Sequence, residues 1–279
     1  MTDTSEFRTK AGETVHVTTW GGSGPRVILV HGSAQGSSVG GAEHYARQQG
    51  LAAKSWQVVV PDRPGHGQSP DPGRPDDSEL DGAWVAEMLG EEGAHLVGHS
   101  FGGSVALAAA AQRPDKVLSL TLIEPAMQSI CTDIPAVRRF LFKLMTVMLF
   151  SLTAKRRILG FARAVGIPES IRGGKSDAEL KRMGAGIKAL RVPKKREIVD
   201  HLAYIRAQKI PFALVTGGWN PAIEAIGDRV ADLGGGERLV IASPHHFPQS
   251  ISEEFNDWLD RFMRAAGSPA DQGARSPAV

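Results

Sequence analysis

The segment Gly98-His99-Ser100-Phe101-Gly102-Gly103 is the part of this 279-residue chain best suited to covalent chemistry. It follows the apolar run Ala94–Gly98 and opens an alanine-rich stretch, so the serine stands at a strand-to-helix turn that needs small neighbours. Such a turn lifts the Ser100 hydroxyl above the carboxyl end of a strand, where open α/β sheets bind ligands. A serine hydroxyl is a poor nucleophile until a base takes its proton, and that base must come from elsewhere in the chain. His246, in Ser243-Pro244-His245-His246-Phe247-Pro248, is the leading candidate, with His245 as its competitor. The other seven histidines lack metal-ligand spacing, so no metal site is expected.

The elements that must position these groups are legible in the hydropathy pattern. Four short apolar runs, RVILV (26–30), WQVVV (56–60), AHLVG (94–98) and VLSLTLI (117–123), read as buried parallel strands. Helical stretches around Trp84 to Leu89 and from Ser104 to Gln112 lie between them. The alternation predicts an α/β fold with a doubly wound, mostly parallel sheet. It breaks after Glu124-Pro125. Residues 126–208 carry mainly helical patterning and read as an inserted cap, with turns at Gly166-Ile167-Pro168, Gly173-Gly174 and Val192-Pro193.

The rhythm resumes with PFALVTGG (211–218), a helix around Pro221 to Leu233, ERLVIAS (237–243) and a closing helix near Ser252 to Ala265. The expected organisation is therefore a core of residues 1–125 and 209–265, a cap of 126–208, and a disordered tail of 266–279. Within the cap, the apolar window from Phe140 to Leu152 is shorter than the roughly 20 residues needed to cross a bilayer, and reads as a buried or cleft-lining helix. Its methionines and aromatics point to an apolar small-molecule substrate. The basic residues of the later cap read as a solvated face.

Composition narrows the partners. A net charge of +2 and 42% hydrophobic content suit a globular protein without a polyanionic partner, so no nucleic acid is expected. The single cysteine, Cys131, excludes an intramolecular disulfide framework, and the polar start of the chain lacks a secretory pattern. The expectation is a cytoplasmic protein with no membrane partner; the oligomeric state stays open.

Taken with His31-Gly32 and with Asp62-Arg63-Pro64-Gly65-His66-Gly67-Gln68-Ser69, the serine turn and the late histidine fall in the order of the α/β-hydrolase superfamily, which the chain resembles over roughly residues 14 to 264. The resemblance implies that the loop after His31-Gly32 supplies one oxyanion-hole N–H, from Ser33, and that Phe101 supplies the other. The chain departs from the family's common pattern at the acid. Gly217-Gly218-Trp219-Asn220 carries an asparagine where most members have an aspartate, and an amide cannot stabilise an imidazolium by charge.

Glu124, in Leu122-Ile123-Glu124-Pro125, stands at the position used for the acid by some haloalkane dehalogenases and by the zearalenone-type lactonases. Glu224 and Asp228, on the helix after Asn220, are the alternatives. Haloalkane chemistry is disfavoured because that family uses an aspartate nucleophile. The resemblance thus implies a serine hydrolase without metal or organic cofactor, cleaving a small or medium apolar carboxylic ester or lactone through Ser100, His246 and Glu124. The rivals are lyase, cyclase, carbon-carbon or acyl-transfer chemistry on the same fold, and non-catalytic ligand binding.

Overall fold

Alternating apolar residues that must be covered on two faces dictate the architecture. In the computed structural model, which describes residues 1–169 and 173–267, eight strands form one sheet in the order β1-β2-β4-β3-β5-β6-β7-β8. They are β1 (Thr2–Arg8), β2 (Thr14–Trp20), β3 (Arg26–Val30), β4 (Gln57–Pro61), β5 (Ala94–His99), β6 (Val117–Ile123), β7 (Phe212–Thr216) and β8 (Glu237–Val240). Strands β3 to β8 are parallel, while β1 pairs antiparallel with β2 and β2 antiparallel with β4.

The helices are α1 (Gly41–His44), α2 (Ser78–Met88), α3 (Phe101–Gln112), α4 (Pro135–Phe150), α5 (Ala154–Ala164), α6 (Asp177–Ala189), α7 (Lys195–Ala207), α8 (Pro221–Gly234) and α9 (Glu254–Ala266). Residues of one parity on each strand, such as Ile28, Val30, Leu96, Leu120 and Leu214, pack with α2, α3, α7 and α8. Their neighbours Val27, Leu29, Val58, Val97 and Val215 pack on the other face with Tyr45, Trp56, Phe255 and Leu259. That two-sided cover is why the inner strands read as continuous apolar runs.

The doubly wound, mostly parallel sheet expected from the sequence is what forms. Strand β1 was not evident in the sequence. All but one of its residues are exposed, since it lies at the sheet's edge and pairs on one side only. Between β6 and β7 lie α4 to α7. Ile198, Leu202 and Ile205 of α7 join the same core as α3 and α8, so this helix flanks the sheet. Ala34, Ile158, Leu180, Met183 and Ile187 form a smaller cluster linking α5 and α6 to the loop after β3. Of the expected tail, residues 268–279 lie outside the described residues, and Ala266 closes α9.

The expectation of a buried or cleft-lining helix from Phe140 to Leu152 needs correcting. Val137 and Phe140 of α4 are buried, but Phe142, Met145, Leu149, Phe150 and Leu152 are 62, 48, 68, 75 and 84% exposed. The apolar residues go all the way round this helix, while only one of its sides faces protein.

Candidate active site

Strand β5 ends at His99, and the chain turns into α3 at Ser100, whose φ of 55° and ψ of −123° are unusual for a residue with a side chain. The Ser100 N–H donates to Ile123 O at 2.9 Å, and Ser100 O accepts from Gly103 N at 2.9 Å and Ala126 N at 3.1 Å. Space for the turn comes from Gly102, where a Cβ would sit 2.2 Å from Val30 O and 2.5 Å from His31 O. The five described non-glycine residues with positive φ include Ser33, Ser100 and Glu124. Backbone strain of this kind costs about 1–3 kcal/mol per residue and gathers where function demands it.

Glu124 follows β6, one strand over from β5, and is buried. Its Oε1 accepts from Gly217 N at 2.8 Å and from Trp219 Nε1 at 3.0 Å. Its Oε2 accepts from Trp219 Nε1 at 3.0 Å and from His246 Nδ1 at 2.5 Å. With Nδ1 donating to the carboxylate, a neutral His246 leaves Nε2 as a proton acceptor. Its backbone N–H donates to Gly166 O at 3.2 Å.

The alternative residues lie elsewhere. Glu224 accepts from Thr216 Oγ1 and Gly218 N and pairs with Arg238, which also holds Asp228. His245 is half-buried and hydrogen-bonded with Ser243. Asn220 caps α8, its Oδ1 accepting from Ala222 N at 2.9 Å. Asn220→Ala is therefore expected to lower stability by about 1 kcal/mol, as lost N-caps do, with turnover unchanged. Thermal melts and steady-state kinetics on the same preparation check this, and a collapse of activity would contradict it.

On the other side of Ser100, Gly32 lies so close that a Cβ there would be 2.9 Å from Ser100 Cβ. Ser33 follows with φ 94°, and Phe101 opens α3. Among the described residues neither amide N–H finds a protein acceptor. The loop carrying Ser33 is held from below. His31 Nε2 accepts from Arg63 N at 2.9 Å, and the buried Arg63–Asp76 ion pair at 2.7 Å leaves Asp76 Oδ2 to accept from Gln35 N at 3.2 Å. The Asp62 to Ser69 loop is likewise structural, with Asp62 accepting from Gly41 N and Gln68 N.

This geometry stands on a known fold. The model of the alpha/beta hydrolase fold family matches residues 25–162. A lipase of Mycobacterium tuberculosis is 37% identical over 119 residues, 40% of this chain and 42% of the relative. A fluoroacetate dehalogenase of a Burkholderia species is 37% identical over 112 residues, 37% of this chain and 35% of the relative. The match thus spans less than half the length of these curated relatives. Among solved structures, an N-acyl homoserine lactonase complexed with N-hexanoyl homoserine superposes with a TM-score of 0.65 at 21% identity, covering 96% of this chain and 98% of that one. A haloalkane dehalogenase of Agrobacterium tumefaciens does so with a TM-score of 0.69 at 18% identity, covering 94% and 97%.

The chain has the α/β-hydrolase fold.

Four residues near the site were not singled out in the sequence. Trp219 grips Glu124, and Gly166 anchors His246. His99 Nε2 donates to His246 O at 2.7 Å, because a carbonyl can only accept. A neutral His99 then accepts at Nδ1, so the 2.9 Å contact is His44 Nε2–H donating to it. The tautomers thus run in one direction, from His44 through His99 to the loop of His246. Only the pairing of sequence-distant residues creates these contacts.

Burial keeps four of the histidines neutral. His31, His66 and His99 are held well below the usual imidazole range and His44 at about 3, first by desolvation and then by neighbouring positive groups. In the unfolded chain each takes up a proton near pH 6.5, but the folded chain binds it only at much lower pH. Their contribution to stability is whole above about pH 6.5 and declines as pH falls. Buried Asp62, Asp76 and Asp81 are raised by desolvation, Asp81 to about 6, and oppose the trend between about pH 4 and 6.

Between pH 7 and 6 unfolding takes up about two protons net at these groups, so stability is expected to fall by roughly 2 to 3 kcal/mol over that unit. Urea unfolding across that window checks it; flat stability would contradict it.

Proposed function

We propose that this chain is a serine hydrolase that cleaves a small or medium apolar carboxylic ester or lactone through Ser100, His246 and Glu124. The observation that carries the reading is the buried Glu124 carboxylate hydrogen-bonded to His246 Nδ1 at 2.5 Å, which leaves Nε2 free to act as a base. In this mechanism His246 takes the Ser100 proton as Oγ attacks the acyl carbon, and Glu124 stabilises the imidazolium. The Ser33 and Phe101 N–H groups receive the oxyanion. Collapse of the tetrahedral intermediate releases the alcohol, protonated by His246, and leaves an acyl-enzyme. Water, activated by the same histidine, then frees the acid. With a lactone, the alcohol stays tethered and the product is one hydroxy acid.

Three observations support the substrate class. Ala34, beside Ser33, packs with Ile158, Leu180, Met183 and Ile187, an apolar surround suited to an acyl chain. Similarity to a lipase and a likeness in fold to a lactonase point to the same bond type. No metal or organic cofactor enters the mechanism. The lone, buried Cys131 suits a reducing compartment, and we assign the enzyme to the cytoplasm.

The test is turnover of p-nitrophenyl esters and of small and macrocyclic lactones in ¹⁸O-labelled water. One labelled oxygen in the acid product supports hydrolysis. Acyl transfer without label, or binding without turnover, would reject it. Gly32→Ala offers a finer check, since its Cβ would lie 2.9 Å from Ser100 Cβ and 3.4 Å from Oγ. Displacing the nucleophile or the neighbouring donor should lower kcat by roughly 10²- to 10³-fold, the effect of losing one oxyanion contact. Steady-state kinetics on a variant with unchanged circular dichroism measures this, and near-wild-type kcat would argue against the assigned oxyanion loop.

A further inference from the structure

Helix α4 divides its residues sharply. One side, Val137, Phe140, Leu141 and Leu144, packs into the main core, and Met148 packs against the smaller apolar cluster. The opposite side carries Phe142, Met145 and Leu149 at i, i+3 and i+7, a single exposed stripe. Phe150 at the helix end and Leu152 just beyond it extend the stripe. A soluble surface seldom leaves so many large apolar side chains together without a partner for them.

The charge around the stripe says which partner. Between Asp133 and Glu169 the chain carries seven basic residues and no acidic one. Arg138, Arg139 and Lys143 share the outer side of α4 with the stripe, and Arg156 is exposed at the start of α5. Among the described residues none of these four has a carboxylate partner. Unpaired cations beside exposed phenylalanine and leucine are the pattern of a helix that lies in the headgroup region of an anionic bilayer, apolar side chains inserted and basic ones on the phosphates. A second copy seated face to face would bring two such basic surfaces together and be repelled.

We propose that α4 and the turn after it form a docking surface for an anionic lipid bilayer. Among the described residues no helix is long and apolar enough to cross a membrane. The expectation of no membrane partner rested on that absence of a spanning segment, which does not bear on a surface-bound mode. This inference stands independently of the chemistry at Ser100.

The test is cosedimentation of the full chain with vesicles of phosphatidylcholine alone and of phosphatidylcholine containing one quarter phosphatidylglycerol. Binding is expected to the second kind only and to be released by high salt. Leu149→Ser/Phe150→Ser and Arg139→Glu/Lys143→Glu should each weaken it by about tenfold or more, while leaving the thermal melt and turnover of a water-soluble ester unchanged. Equal binding to both vesicle types, no binding to either, or binding untouched by both double variants would overturn the proposal. So would a dimer seen by light scattering that Leu149→Ser/Phe150→Ser dissolves, which would give the stripe to a second copy.

Discussion

Ser100→Ala is expected to lower kcat by about 10⁶-fold, because the nucleophile and its base act as a unit whose removal leaves only transition-state binding. Alanine keeps the Cβ, so the strained backbone at φ 55° and the packing of the turn are undisturbed, and the variant should melt with the wild type. Adding His246→Ala should cost little more, since a base without a nucleophile contributes little. Single-turnover and steady-state kinetics on an ester substrate distinguish the outcomes. If Ser100→Ala kept more than a small fraction of wild-type turnover, the covalent mechanism would be wrong. If the double variant lost a further factor as large as the first, His246 would act apart from Ser100.

Glu124→Gln should come second, with kcat reduced by about 10⁴-fold, the size of effect seen when the acid beside a catalytic histidine becomes an amide. The reason lies in the donors around the carboxylate. Gly217 N–H, the Trp219 indole and His246 Nδ1–H all point at its two oxygens. A glutamine must turn its NH₂ towards one of them. If it faces Gly217, that buried N–H loses its acceptor and the Trp219 indole keeps only one of its two; if it faces His246, the imidazole takes the other tautomer and Nε2 no longer accepts the Ser100 proton. Either way the imidazolium loses its counter-charge. The pH dependence of kcat together with imidazole proton NMR reads this directly: the downfield Nδ1 proton should vanish with the activity. Persistence of both would show that Glu124 only holds the loop.

The sequence was a good guide wherever a structural demand falls on neighbouring residues. The run at 26–30 is β3 without adjustment, the run at 117–123 is β6, and the serine between glycines marks the start of α3, because burial on both faces and a tight turn each restrict residue type locally. Glu124 was legible only through the resemblance: the family's common acid position holds Asn220, which cannot supply charge, and Glu124 stands where some haloalkane dehalogenases and the zearalenone-type lactonases place the acid. Strand β1 was illegible because an edge strand with exposed side chains carries no apolar signature. The roles of Trp219, His99 and His44 were hidden because each depends on a partner 50 or more residues away.

The sequence by itself determined the fold class, the turn that raises Ser100 and the candidates for its base and acid. These follow from hydropathy period, glycine placement and the types of side chain that can move a proton and, for the acid, from the resemblance to the α/β-hydrolase superfamily. Only the tertiary structure decided that Glu124 rather than Glu224 or Asp228 meets His246, and which side of α4 faces solvent. Such choices depend on which residues of distant segments meet when the sheet and its helices pack, and no local pattern encodes that distance.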